Sequence, residues 1–221
     1  MTGAGRLARF WGSTVGRKIV MGATGVLLVV FILGHLAGNL LIYSGAEAEN
    51  RYAALLKSNP ELLWVIRVVL LGALVLHVWA GLGLARTAAM ARPVGYQQSA
   101  PQSATVASRT MRWGGLFLIV FLVIHLLHFT TGTIHPSFHG TDVYANLIDG
   151  FRVWYAALFY LLAMVVLGLH LFHGTSSMFQ SLGLSHPGYD EGRRRTMRIV
   201  SVLVFGGFAS IPLAVWLGWV R

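Results

Sequence analysis

The chain contains no cysteine. It can therefore form no disulfide, carry no CxxCH haem attachment and hold no cysteine-ligated iron–sulfur cluster of its own. Charge is nearly as scarce. Only 11% of the 221 residues are charged, where a water-soluble domain carries roughly 25%. Acidic residues are the scarcest, seven against seventeen Lys and Arg. A mean hydropathy of +0.67 completes the case that water is not the solvent for this chain.

What is abundant is hydrocarbon. Five apolar stretches, at about 18–43, 62–88, 112–134, 154–178 and 197–219, are each long enough to cross a bilayer, which takes about 20 residues. Each is expected to be helical, because a helix satisfies its own backbone polar groups in lipid. The expected fold is all-α, a single membrane domain over residues 1–221. Arg6, Arg9, Arg17 and Lys18 before the first stretch resemble the start of a secretory signal. The apolar run exceeds the 7–15 residues of a signal core and no A-x-A-like site follows, so it reads as an uncleaved span.

The net charge of +10 does not point to nucleic acid, because the cations alternate along the chain. They cluster at the N-terminus, between spans two and three (Arg86, Arg92, Arg109, Arg112) and between spans four and five (Arg193, Arg194, Arg195, Arg198). The other two loops carry Glu47, Glu49, Glu61, Asp142 and Asp149. This positive-inside pattern puts the N-terminus in the cytoplasm and Arg221 outside. Trp11, Trp64, Trp113, Trp154, Trp216 and Trp219 fall near span ends, as interfacial aromatics do. Residues 92–105 and 184–195 read as cytoplasmic loops, and 46–61 and 134–151 as outer loops with room for short interfacial helices.

Spans one and three repeat each other. Set without gaps, "GVLLVVFILGHL" (25–36) and "GLFLIVFLVIHL" (115–126) match Gly25 with Gly115, Phe31 with Phe121 and His35 with His125. "LHVWAGL" (76–82) and "LHLFHGT" (169–175) match His77 with His170 and Gly81 with Gly174. At the helical rise, His35 and His125 each lie about 12 Å before the outer end of their span, and His77 and His170 about 22 and 24 Å in from it. Four histidines on four helices thus form two levels of two. Two imidazoles facing at one depth suit the two axial positions of a haem iron, and bundle cores house such cofactors. Two stacked haems, roughly 10–12 Å apart along the normal on the same rise, make an electron relay held by the first four spans.

Other readings of an intramembrane histidine are an interhelical hydrogen bond or a proton relay. Zinc favours three or four nearby ligands, and each level offers two. His128 and His173 follow their neighbours by three residues and could bond a haem propionate, a quinone or another helix; His135, His139 and His186 fall in loops and are expected to be solvated. Arg152, just before span four, and Arg67, inside span two, are candidates to meet the propionates of the outer haem, since Arg suits bidentate carboxylate contact, or to snorkel.

The segments 16–45, 76–93, "HLLHFTTG" (125–132) and "LHLFHGTSSMFQSLGL" (169–184) resemble the di-haem, single-polypeptide cytochrome b subunit of succinate dehydrogenase/fumarate reductase. The resemblance implies haem ligation by His35 and His125 for a distal haem, and by His77 and His170 for a proximal one. It also implies two haem b groups, a quinone (usually menaquinone), and two cytoplasmic partners, an iron–sulfur subunit and an FAD-containing flavoprotein, in a bacterial-type inner membrane. Electrons from succinate would then reach the quinone through this subunit, or run in reverse. Some fumarate reductases of this type carry a Glu two residues before the helix-four ligand for transmembrane proton transfer; here that position is Gly168. The alternatives are the cytochrome b subunit of a membrane formate dehydrogenase or hydrogenase, and a haem-free transporter or anchor.

Overall fold

The computed structural model describes residues 3–91, 106–181, 183, 186, 188 and 190–221. The linker 92–105 with Arg92, the Arg6 and Arg109 side chains, and residues 182, 184, 185, 187 and 189 of the second loop lie outside the described residues. Three of the helices start at a capping residue that the sequence supplies. Ser13 accepts from the Gly16 amide to open α2 (Thr14–Asn39), after a short α1 (Gly3–Gly12). Asn59 caps Leu62 ahead of Pro60, which needs no amide partner, at the start of α4 (Pro60–Met90). Asp142 caps Ala145 at α6 (Val143–Arg152). The remaining helices are α3 (Ala46–Lys57), α5 (Val106–His125), α7 (Trp154–Ser181) and α8 (Asp190–Trp216).

Helices α2, α4, α5, α7 and α8 are the five long and apolar enough to span a membrane, and no strand occurs among the described residues. The short α3 and α6 fall in the segments expected to hold interfacial helices. Three boundaries differ from the hydropathy reading. α2 ends in a tight 3₁₀ turn, Leu40–Ser44, stopped by Gly45 at φ 92°, a conformation a side chain would resist. α5 ends in a π turn, Leu126–Thr130, closed by the Thr131 amide onto the Leu126 carbonyl, so the span stops at 130 rather than 134. α8 begins at Asp190, so Arg193–Arg195 lie on its first turns, with Arg193 paired to Asp190 at 2.8 Å, rather than in a loop.

In the bundle α7 is central, packing against α8, α5 and α2, while α2 packs lengthwise on α4. Outward faces are apolar and exposed, as with Val30, Val68 and Leu71, which suits lipid rather than water. The densest core sits at the end of the bundle that carries α3, α6 and the C-terminus. There α6 lays Leu147, Ile148 and Phe151 over Tyr160 of α7 and Ile211 and Val215 of α8. Asn50 of α3 clamps α6: its amide donates to Asp142 at 2.9 Å and its carbonyl oxygen accepts from the Tyr144 amide at 3.1 Å.

Candidate functional site

The four repeat-matched histidines meet in two pairs. His35 of α2 faces His125 of α5 with ring centres 5.9 Å apart, and His77 of α4 faces His170 of α7 at 6.4 Å. The repeat carries its neighbours with it. Phe31 stacks on His35 at 5.5 Å, and Phe121 on His125 at 5.7 Å, each one turn away on the same helix. A Cβ on Gly25 would sit 3.5 Å from the His77 ring, and one on Gly115 would sit 3.7 Å from the His170 ring. A coincidence of Gly, Phe and His in sequence is thus one geometry built twice.

The hydrogen bonds to the ring nitrogens differ among the four. His77 Nδ1 lies 3.2 Å from both the Met21 carbonyl and the Thr24 hydroxyl. A carbonyl only accepts, and Thr24 spends its proton on the Val20 carbonyl at 2.7 Å, so Nδ1 of His77 carries the hydrogen and Nε2 keeps its lone pair. His125 Nδ1 lies 3.3 Å from the Tyr160 hydroxyl. The Asn39 amide donates to the His35 carbonyl at 2.7 Å and to His35 Nδ1 at 3.2 Å, so this imidazole keeps its lone pair on Nδ1, and ligation through Nε2 would require the Asn39 amide to turn its oxygen towards Nδ1. His170 Nδ1 is buried with no hydrogen-bond partner. The repeat accounts for half of that, since the carbonyl of Met111, which aligns with Met21, makes no bond to His170 Nδ1 either. Thr24 aligns with Gly114, so the hydroxyl that serves His77 has no counterpart beside His170.

The two ring separations are those that one haem iron would need between two imidazole ligands. Two iron–nitrogen bonds of about 2 Å, as imidazole ligands make, plus the half-width of each ring, add to roughly 6 Å between ring centres. Both observed separations agree. Among the described residues no group of three or more His, Asp or Glu could hold a metal ion, so the chemistry of a tetrahedral zinc site is not what these donors offer.

The other candidates fall elsewhere. Arg152 ends α6 with its side chain 61% exposed and pairs with Asp149 at 3.4 Å. Arg67 is exposed on α4, its guanidinium 5.0 Å over the Trp64 ring one turn back, a snorkelling posture. His128 is buried and makes an interhelical contact, Nδ1 to the Tyr160 hydroxyl at 3.3 Å. His173 bonds within its own helix, to Ser177 at 3.2 Å. His135 departs from the solvated loop histidine expected of it. Its Nε2 donates to the Asn146 carbonyl at 2.9 Å, its Nδ1 accepts from the Ser137 amide at 3.0 Å, and its ring lies 5.0 Å from that of His128. His139 is exposed, as expected.

Two acidic groups outside the spans are perturbed in opposite senses. The Ala145 amide and the Asn50 side chain hold the Asp142 carboxyl below its ordinary range. Burial raises Glu49 from 4.5 to about 7, and its Oε2 is cut off from any partner. Sequence reading missed Tyr160 altogether. Its depth gives no clear signal: ten residues before His170 on a helix is about 15 Å, beyond the separation of the two levels.

Fold and site together define a five-span helical membrane protein with paired histidines inside a four-helix bundle. The sequence profile of the succinate dehydrogenase/fumarate reductase transmembrane subunit matches residues 90–211, just over half of the chain. The chain belongs to that family, whose members are membrane subunits of an oxidoreductase complex. The matched segment runs from the end of α4 into α8 and includes His125, Arg152 and His170; His35 and His77 precede it. No curated protein and no solved structure matches the chain.

Proposed function

We propose that the chain is the di-haem cytochrome b anchor of a succinate:quinone oxidoreductase. Two b haems, held by His35 with His125 and by His77 with His170, supply one-electron redox centres at two depths in the membrane. One observation carries this reading: two histidine pairs from four different helices, each at the ring separation that one iron would span. The residues of this chain do the holding. The Met21 carbonyl and Thr24 turn His77 and fix its tautomer, Phe31 and Phe121 wall the other pair, and Gly25 and Gly115 leave the approach to His77 and His170 open.

Arg152 is our candidate for a propionate of the outer haem, exchanging its exposed pairing with Asp149 for a carboxylate of the cofactor. In the proposed orientation the basic end, with α1 and Arg193–Arg195, faces the cytoplasm and docks an iron–sulfur subunit with its flavoprotein. The quinone, menaquinone in this reading, exchanges electrons with the subunit.

A reduced-minus-oxidised optical spectrum of the complex purified through a tag on this chain tests the proposal. The expected result is a b-type α-band, two haems per chain, and co-purifying flavin and iron–sulfur subunits. Absence of the band would overturn the haem assignment and leave a haem-free anchor.

A further inference from the structure

Tyr160 offers one hydroxyl to two imidazoles. Its Oη lies 3.3 Å from Nδ1 of His125 and 3.3 Å from Nδ1 of His128. The side chain is 6% exposed, wedged among Phe121, Phe129 and Phe151 with ring centres 5.1–5.5 Å away, so the hydroxyl has little freedom to turn elsewhere. A phenol has a single proton. It can donate to one Nδ1 only, and the other imidazole must donate to it.

The reading of His125 as an iron ligand, on which this step rests, sets the direction. A neutral imidazole that gives its Nε2 lone pair to iron carries its hydrogen on Nδ1. His125 therefore donates to Tyr160, and Tyr160 donates to His128 Nδ1, which leaves the His128 hydrogen on Nε2. His128 is held in turn against His135, itself fixed by the Asn146 carbonyl and the Ser137 amide. Hydrogen bonds in such a chain polarise one another. An acceptor on the far nitrogen makes a ligating imidazole more basic and fixes its ring orientation.

We propose that Tyr160 is a positioning residue for the His35–His125 centre: it accepts the Nδ1 hydrogen of His125, with His128 as the terminal acceptor, and so sets the orientation and donor strength of that ligand. A more basic ligand stabilises the oxidised iron, so the chain holds the potential of this centre down. Its counterpart at the other level is the backbone carbonyl of Met21. Arg67, which aligns with Tyr160 in the repeat of spans two and four, faces outward and plays no such part.

The test is a redox titration with low-temperature EPR of the ferric centres, on the purified complex carrying Tyr160→Phe or His128→Leu. With Tyr160→Phe we expect two haems per chain, an upward shift in the midpoint potential of the component that His125→Ala abolishes, and a moved low-spin signal for that component alone. His128→Leu shifts the same component in the same direction by less, because the phenol still accepts. Two haems with neither potential moved in Tyr160→Phe would overturn the proposal, as would a shift confined to the component that His77→Ala abolishes. Should Tyr160→Phe fail to assemble, His128→Leu decides: a shifted His125-linked component supports the chain, an unshifted one overturns it. A wild-type complex without a b-type band is a different result. It overturns the haem reading first, and this inference with it.

Discussion

At the His77–His170 level the imidazoles are met mainly by backbone and by glycine, the Met21 carbonyl and the bare faces of Gly25 and Gly115, with the Thr24 hydroxyl as the side-chain partner. At the His35–His125 level they are met by rings and side-chain amides and hydroxyls: Phe31, Phe121, Phe208, Asn39 and Tyr160. The first level also borders a cavity of about 390 Å³ lined by His170 and Gly114, and a second of about 530 Å³, lined by Met21, Lys18 and Gln180, lies beyond it towards the basic end. The second lies under the dense core where α6 seals the helix ends. One repeat has thus been set in two surroundings. Backbone-defined geometry survives side-chain substitution and leaves space, whereas geometry made by interlocked rings is rigid and responds to single changes.

The largest expected effect breaks the pairing itself. His77→Ala and His170→Ala should each lose the same haem component, and His35→Ala and His125→Ala the other, read as haem per chain falling from two towards one. Loss of the same component in His35→Ala and His77→Ala would dissolve the two levels. His125→Leu should lose a haem while His128→Leu keeps both, since His128 holds Tyr160 rather than facing His35.

Next comes packing beside the more rigid level. A Cβ on Gly207 of α8 would stand 2.7 and 2.9 Å from the two methyls of Leu36, the buried neighbour of His35. Gly207→Ala should cost about 1–3 kcal/mol as an overpacked contact, seen as a lower thermal midpoint in detergent. Gly72→Ala, with nothing within 4 Å of the new methyl, is the matched control.

A smaller effect depends on pH. Burial raises Glu49 from 4.5 to about 7, so the folded chain holds that proton more tightly than the unfolded chain does. The stability this supplies is complete below pH 4.5 and is lost as the pH rises through about 7. Glu49→Gln, which cannot ionise, should match the wild-type thermal midpoint at pH 4.5 and exceed it above pH 7. A constant difference at every pH would show that Glu49 acts through packing alone.

The smallest effect probes the backbone-held level. Thr24→Val removes one of two acceptors on His77 Nδ1 and leaves the Met21 carbonyl. A neutral hydrogen bond contributes about 1 kcal/mol, equivalent to a few tens of millivolts for a one-electron couple. The potential of the His77-linked component should rise by no more than that. A larger shift would mean that this level, too, depends on side chains.

Hydropathy marked all five spans and both interfacial segments, because partition into lipid is a property of each stretch taken alone. The repeat brought out His35, His77, His125 and His170, and even the Gly and Phe around them, because a helix puts fixed sequence offsets on fixed faces. Tyr160 could not be singled out in the same way. In sequence it is one more aromatic in an apolar run, and its hydroxyl acquires a role only through the rotation of α7 against α5. His128 and His173 look alike as the third residue after a repeat histidine, yet one bonds across helices and the other along its own.

The π turn at Leu126–Thr130, the Asn50–Asp142 clamp between α3 and α6, and the missing partner of His170 Nδ1 are equally tertiary. Residues 92 positions apart must first be brought together before their hydrogen bonds exist. Solvent, span number and the depth of each histidine follow from local hydrophobicity and a 1.5 Å rise. Which nitrogen meets which hydroxyl depends on how the helices pack, and no local pattern encodes it.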